Sequence, residues 1–474
     1  VGSEDPWLGD ATTLTGGGIQ CLGSRPTIHN CIVSQNTATL GGGLYASIGG
    51  QAGNPPSGSY TDGPLVIDCE FKMNSVSTQA SSGLYSPAGG GVFALNCSPE
   101  LINCTVTRNS STIEGGGLAF HNSDFNGEPP SLTKPVVDGC DIRYNTAGSA
   151  GGGFSMTSHT NPQIRNSQIV GNKARSQGAS PAGKGGGLYW IGSKVDLYSC
   201  FIGHNVAAES GGGIAFLLEP SFSDFGLPFG EGSTLTHCTI AGNKTTNEGS
   251  FTYGGGFWGF FSQDFPYPDT VFENCLIVQN ESANGAAGYL EATQAQFRHC
   301  TIAENTATHP AGSTGVGGLM ITSFYDPAEP GPMVQFLDSI IARNSQLGTQ
   351  PTPAWNVQFM DVTPSQPGNR ATFDYTLMET NGAFLHYGAM MQNQVSGVRF
   401  ATGSSFPLFP INTFYLPHTP EQSITLSAAY NTGSGVIGPS YAVDGRKCRT
   451  ALGVVDFNIV DLGFHYPNDL IGLP

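Results

Sequence analysis

One frame of apolar and polar positions recurs ten times between residues 28 and 344: an apolar residue, two residues, Cys or Ser, one residue, a second apolar residue, two residues, Asn. The first apolar position holds Ile28, Val66, Leu101, Val137, Ile164, Leu197, Leu235, Phe272, Phe297 and Phe336. The second holds Val33, Phe71, Val106, Ile142, Ile169, Ile202, Ile240, Ile277, Ile302 and Ile341. The middle slot is Cys31, Cys69, Cys104, Cys140, Cys200, Cys238, Cys275 and Cys300, with Ser167 and Ser339 in the other two copies. Five residues after each slot stands an Asn: Asn36, Asn74, Asn109, Asn145, Asn172, Asn205, Asn243, Asn280, Asn305 and Asn344. Agreement at all four positions in every copy marks a solenoid.

The residue types say which kind. Polar residues flank the inward positions (Asn30, Asp68, Asn103, His237, Asn274, Asp338), which reads as the period-two alternation of strands. Gly and β-branched residues abound, and the Ala/Leu/Glu/Lys mixture of helical repeats is missing. Copies lie 25 to 39 residues apart, room for one coil of short strands and a variable loop. Stacked coils pair each strand with its equivalent about 4.8 Å away, which predicts an all-β parallel β-helix. The Asn column predicts a corner ladder of side-chain amides that satisfies turn backbone. Gly runs (41–43, 115–117, 151–153, 185–187, 211–213, 254–256) suit corners with positive φ and close backbone approach. After them, Leu44, Leu118, Phe154, Leu188, Ile214 and Phe257 are expected to point in, and Tyr45, Ala119, Ser155, Tyr189, Ala215 and Trp258 out; Ala46, Phe120, Met156, Trp190 and Phe216 point in again. Residues 1–344 are expected to form regular coils, and 345–474 irregular coils and a cap continuous with them.

This Gly-Gly-Gly-Leu and Ile-x-x-Asn signature resembles the right-handed β-helix repeats of bacterial secreted proteins, and is similar to repeats of chlamydial polymorphic outer-membrane proteins. Pro407-Leu408-Phe409, Phe414-Tyr415-Leu416, Ser427 to Gly433 and Val460 to Pro467 resemble the closing segment of choice-of-anchor β-helix proteins, which usually carry Asp where Asn431 stands. The resemblance implies a right-handed helix and a secreted or cell-surface setting, and little about activity. The terminal sorting anchor usual in those proteins does not follow Leu473-Pro474.

Composition narrows the partners. With 67 Gly, 11% charged residues and a net charge of −17, the chain is a low-charge, acidic β protein. That balance argues against nucleic acid or anionic membrane as partners. No apolar run of membrane-spanning length occurs, so no membrane insertion is expected. The opening at Val1 reads as a processed, exported product.

Cysteines stacked at the strand repeat stand wider apart than a disulfide prefers, so the eight slot thiols are expected to be an unpaired ladder chosen for volume. Cys21, Cys97 and Cys448 lie off the ladder, and their disulfide status stays open. No C-x-x-C or His cluster suggests a metal, and no cofactor is expected.

No catalytic constellation emerges. Asn-Thr-Asp, Asp-Asp and Gly-His-Gly motifs of pectin-type enzymes are missing, and Gly203-His204-Asn205 belongs to the repeat. The loop acids Asp62, Asp124, Glu128, Glu219, Asp224, Asp264 and Asp326 are dispersed, whereas hydrolysis needs converging carboxylates. Of the sequons at Asn96, Asn103, Asn109, Asn243 and Asn280, the last three fall in the corner ladder expected to be buried, and Asn96 is the one expected to be exposed. Inserted loops (47–63, 121–134, 218–232, 260–270, 323–333) leave one face and carry Tyr60, Phe125, Phe225, Phe229, Phe265, Tyr267 and Tyr325, a candidate contact face for another subunit or a glycan. The repeat is in register by Gly16-Gly17-Gly18, which leaves little for a front cap. Three functions therefore stay in view: a structural protein assembling head-to-tail with itself, a glycan-binding adhesin, and a polysaccharide lyase or hydrolase.

Overall fold

The computed structural model describes residues 3–4, 14–47, 62–77, 86–122, 133–157, 160–176, 183–218, 232–246, 252–261, 270–308, 315–323, 333–346, 352–353, 357–361, 370–374, 377–379, 384–387, 394–396 and 399–401. Among them there is no helix, and none therefore long and apolar enough to cross a membrane. The strands build a right-handed parallel β-helix, divided between two compact units.

Unit 1 comprises residues 1–233 and 240–268. Each coil contributes four short strands, as in Val92–Leu95, Ser98–Ile102, Thr105–Thr107 and Ser110–Ser111. Each strand pairs in parallel with its equivalent in the next coil, Val92 opposite Leu118, Val106 opposite Ile142, Ser111 opposite Ala147. The four columns form a glycine-run sheet (the Val92–Leu95 column) and a second, third and fourth sheet in chain order. Unit 2, residues 234–239 and 269–474, repeats the plan with Gly288–Glu291, Leu319–Ser323, Val357–Asp361 and Phe384–Tyr387 in its glycine-run column. Its parallel pairing carries on past Asn344, as far as Leu377–Glu379 against Arg399–Ala401. The expected cap, residues 402–474, lies outside the described residues.

The frame's two apolar positions line the interior: Val66, Phe71, Leu101, Val106, Ile142 and Ile164 are wholly buried. In unit 2 the first position is a column of rings, Phe272, Phe297 and Phe336, stacked with centroids 4.8 and 5.1 Å apart. Burying each such side chain stabilises by about 1.5–3 kcal/mol.

Two sequence readings change. The polar residues before the Cys slot are corner residues rather than strand residues. All ten, from Asn30 to Asp338, take φ between 47° and 64°. Asn and Asp tolerate that left-handed region best among non-glycines, which explains their frequency there without strand alternation. The second change concerns Tyr45, Ala119, Ser155, Tyr189, Ala215 and Trp258. They alternate with the interior residues but are at most 5% exposed. The outside of the glycine-run sheet is thus a second buried layer, where Tyr45 stacks on Phe93 at 5.7 Å beside Leu40, Ala88, Leu95 and Ala119.

The Gly triplets answer a steric demand. Gly151 has φ +63°, and a Cβ on Gly152 would stand 2.3 Å from the Gly186 carbonyl oxygen of the next coil. The corner closes only if the middle residue has no side chain.

Candidate functional site

The repeat residues serve the fold. In unit 1 each ladder Asn gives its backbone N–H and its Nδ2 to Oδ1 of the Asn one coil on; for Asn74 to Asn109 the lengths are 2.9 and 3.1 Å. The same Nδ2 also donates back to the coil before, Asn74 to the Val33 carbonyl at 2.9 Å. The pattern runs from Asn36 through Asn109, Asn145, Asn172 and Asn205 to Asn243. Unit 2 has its own run, Asn280 to Asn305 to Asn344.

The Cys slot is a ladder of the same kind in sulfur, and more than a volume filler. The Cys104 N–H donates to Cys140 Sγ at 3.4 Å, and Cys140 Sγ donates to the Leu101 carbonyl at 3.4 Å. Where the slot is Ser, oxygen does the work: Cys140 N–H to Ser167 Oγ and Cys300 N–H to Ser339 Oγ, both 3.1 Å. Cys69, Cys200, Cys238 and Cys275 likewise donate to main-chain carbonyls. All ten described cysteines, Cys21 and Cys97 included, are free thiols; Cys448 lies outside the described residues. Burial pushes the Cys97 thiol up to about 12, which keeps it protonated and a poor nucleophile.

The candidate contact residues Tyr60, Phe125, Phe225, Phe229, Phe265, Tyr267 and Tyr325 lie outside the described residues, as do the loop acids other than Asp62, which pairs with Arg25. Among the described residues no group of three or more His, Cys, Asp or Glu gathers for a metal.

Two features stand apart from the ladders. The first is the end coil of unit 1, formed by Ile19–Leu22, Thr27–His29, Ile32–Ser34 and Thr37–Ala38, which are outermost in their four sheets. Its interior is less closed than that of other coils. Cys31 is exposed and Ile28 half-buried. Asn36 donates twice to Asn74, while its own Oδ1, the atom that receives two bonds in each later coil of unit 1, accepts none among the described residues.

The second is a polar cluster in the buried outer layer of the glycine-run sheet. Glu114 stands just before a Gly run, in a column that runs Thr15, Leu40, Ala88, Glu114, Ala150, Lys184, Ser210 and Tyr253, with Ala88 and Ala150 as its neighbours. Ser155 Oγ, from the next coil, donates to Glu114 Oε2 at 3.2 Å. His121 Nε2 lies 3.7 Å from the same oxygen and has no hydrogen-bond partner. Burial pushes the Glu114 carboxyl up and the His121 imidazole down to about 4. His121 also meets the Phe93 ring edge-on at 5.0 Å. Among the described residues the cluster brings together one carboxylate, one hydroxyl and one neutral imidazole, whereas glycoside hydrolysis uses two carboxylates. The column lies outside the four-position frame and varies from Leu40 to Lys184, so the sequence repeat carries no signal for Glu114.

Comparisons with protein-family models, with curated proteins and with solved structures find no match.

Proposed function

We propose that this chain is a structural solenoid of the cell exterior that associates end-on with further copies of itself. The end coil of unit 1 carries the reading. Among the described residues it offers four parallel strand edges, apolar Ile28 beside exposed Cys31, and an Asn36 Oδ1 that accepts no bond. Open edges of this kind template strand addition. The ladder is also directional: only a coil presenting an Asn N–H and Nδ2 completes Asn36, and only a slot N–H completes Cys31 Sγ. A repeat of the same frame supplies both, so a second copy is the matching occupant. Contact between unlike ends propagates rather than closing. The extracellular setting rests on the resemblance to secreted β-helix proteins and on the acidic, low-charge composition.

The test is electron microscopy of the vitrified 474-residue chain over a concentration series, with alkylation of Cys31 followed by peptide mass spectrometry. End-to-end particles are expected, with Cys31 protected as they form. An Ile28→Lys/Asn36→Lys variant, which places charge on the edge, is expected to stay single. Single particles at the highest concentration with Cys31 alkylated at an undiminished rate would sink the reading.

A further inference from the structure

A second surface in unit 1 stands on different residues. The residue before each ladder Asn takes left-handed backbone, and several side-chain types tolerate it: Gln35 at φ 59°, Met73 at 53°, Arg108 at 54°, Tyr144 at 55° and His204 at 54°. Conformation alone thus does not explain why this slot is glycine at 171 and 242. Rings do. A Cβ on Gly171 would stand 2.7 Å from Tyr144 Cε1, and one on Gly242 2.7 Å from His204 Nδ1. In each case the ring of one coil fills the space that a side chain on the next coil's backbone would take. Tyr144 remains 54% exposed, and His204 is exposed as well.

The rings have a period. Tyr144 aligns with Gly171, and Gly171 with His204, so two coils separate the rings, about 9.6 Å at the strand spacing. The neighbouring column repeats with the same period in charge. Lys173 pairs with Val206 and Val206 with Lys244, both lysines exposed on two-residue strands that follow the Asn corner. Arg108 and Arg143 flank Tyr144, Arg108 donating its N–H to the Arg143 carbonyl at 3.2 Å. The chain has 18 Lys and Arg against 35 Asp and Glu, so four cations on one corner run against its overall balance. Among the described residues of this corner, Asp141 is the acid, and it is paired with Arg143.

We propose that this corner binds an anionic polysaccharide laid along the coil axis. Pyranose faces would rest on Tyr144 and His204, and the carboxylates or sulfates of alternate sugars would meet Arg108, Lys173 and Lys244. An extended glycan repeats every second sugar, which a two-coil period can follow without strain in either partner. Exposed rings supply flat apolar contact at little entropic cost, and the cations supply charge-assisted bonds to the acid groups. Each ion pair is individually weak in water, so affinity must come from the repeat.

The full chain is tested by affinity electrophoresis in gels carrying polygalacturonate, neutral dextran or single-stranded DNA. Retardation by polygalacturonate alone is expected, fading as salt rises from about 0.02 to 0.3 M. Arg108→Ser/Lys173→Ser/Lys244→Ser is expected to weaken it about tenfold or more. Tyr144→Ser removes no charge and is expected to weaken it by a similar factor. Gly171→Ala, whose Cβ occupies the ring's seat, should do the same in part. All five positions are exposed or at corners, and circular dichroism of each variant checks that the coils persist. Equal retardation by DNA, or no effect of Tyr144→Ser, would reduce the surface to a nonspecific polyanion patch and overturn the proposal. Absence of retardation by polygalacturonate overturns it as well. The Ile28→Lys/Asn36→Lys variant should bind as the parent does, so failure of end-on association leaves this result unaffected.

Discussion

At the residue scale, the repeat is a set of hydrogen-bonding obligations more than a set of volumes. Each coil of the frame turns through left-handed backbone before the Cys slot and before the Asn, in addition to the turn at its Gly run, and the N–H groups at the first two corners need acceptors from the next coil. Asn Oδ1 and Cys Sγ or Ser Oγ provide them. Replacing Cys140 by Ser keeps both the accepted Cys104 N–H and the donation to Leu101, so it should shift the urea midpoint little. Cys140→Val fills similar space but leaves the Cys104 N–H and the Leu101 carbonyl buried with fewer partners, a loss of about 1–3 kcal/mol. Equal midpoints for the Ser and Val variants would show that volume alone matters. Asn172→Ala strips the acceptor of two Asn145 donors and should cost about 2–5 kcal/mol, read in the same titration.

At the scale of the element, the fold was legible because a solenoid repeats its contacts. One set of ten aligned residues gives the inward positions, the corner and the strand pairing together. The glycine-run sheet shows where that logic ends. Periodicity places Tyr45, Ser155 and Trp258 on the outer side correctly, but says nothing of whether that side is wet; its burial depends on residues outside the frame. Glu114, His121 and Ser155 come together from positions 7 and 41 residues apart in chain distance from Glu114, in columns whose residues vary from coil to coil. The cluster makes the sheet pH-sensitive. His121 titrates near 4 when folded and near 6.5 when unfolded, so the unfolded chain takes up its proton first as pH falls. Stability is therefore full above about 6.5 and declines towards 4, by up to about 3 kcal/mol. Glu114, pushed up by burial, acts in the opposite sense: its contribution is full below the unfolded carboxylate range and declines as pH rises through it. His121→Gln should flatten the acid limb between pH 6.5 and 4 in a thermal-denaturation series. An unchanged slope would place the acid sensitivity elsewhere.

For the whole molecule, each unit is stabilised by nearest-neighbour coil contacts, so local opening is governed by where a coil stands in its stack. Among the described thiols, Cys31 of the end coil should react first with an alkylating reagent, and Cys69, Cys104, Cys140, Cys200, Cys238, Cys275 and Cys300 only after denaturant is added. Early modification of Cys104 or Cys140, mapped by peptide mass spectrometry, would mean that mid-stack coils open as readily as the end. The sequence alone did not reveal the ring-and-glycine corner, because Tyr144 with Gly171 and His204 with Gly242 are pairs between successive coils. A frame read one coil at a time records a tyrosine in one copy and a glycine in the next as unrelated variation.

The ladder's direction has a consequence for heredity. Because each Asn asks only for another Asn one coil on, any two coils are interchangeable at the junction. A recombination that joins the slot of Cys140 to that of Ser167 removes one whole coil. Asn109, which now donates to Asn145 Oδ1, would meet Asn172 Oδ1 in the same place. Such a chain is shorter by one step, with its register intact. Gene length in this architecture is therefore free to drift by whole coils, while a change of a single residue inside the frame is held fixed by its neighbours.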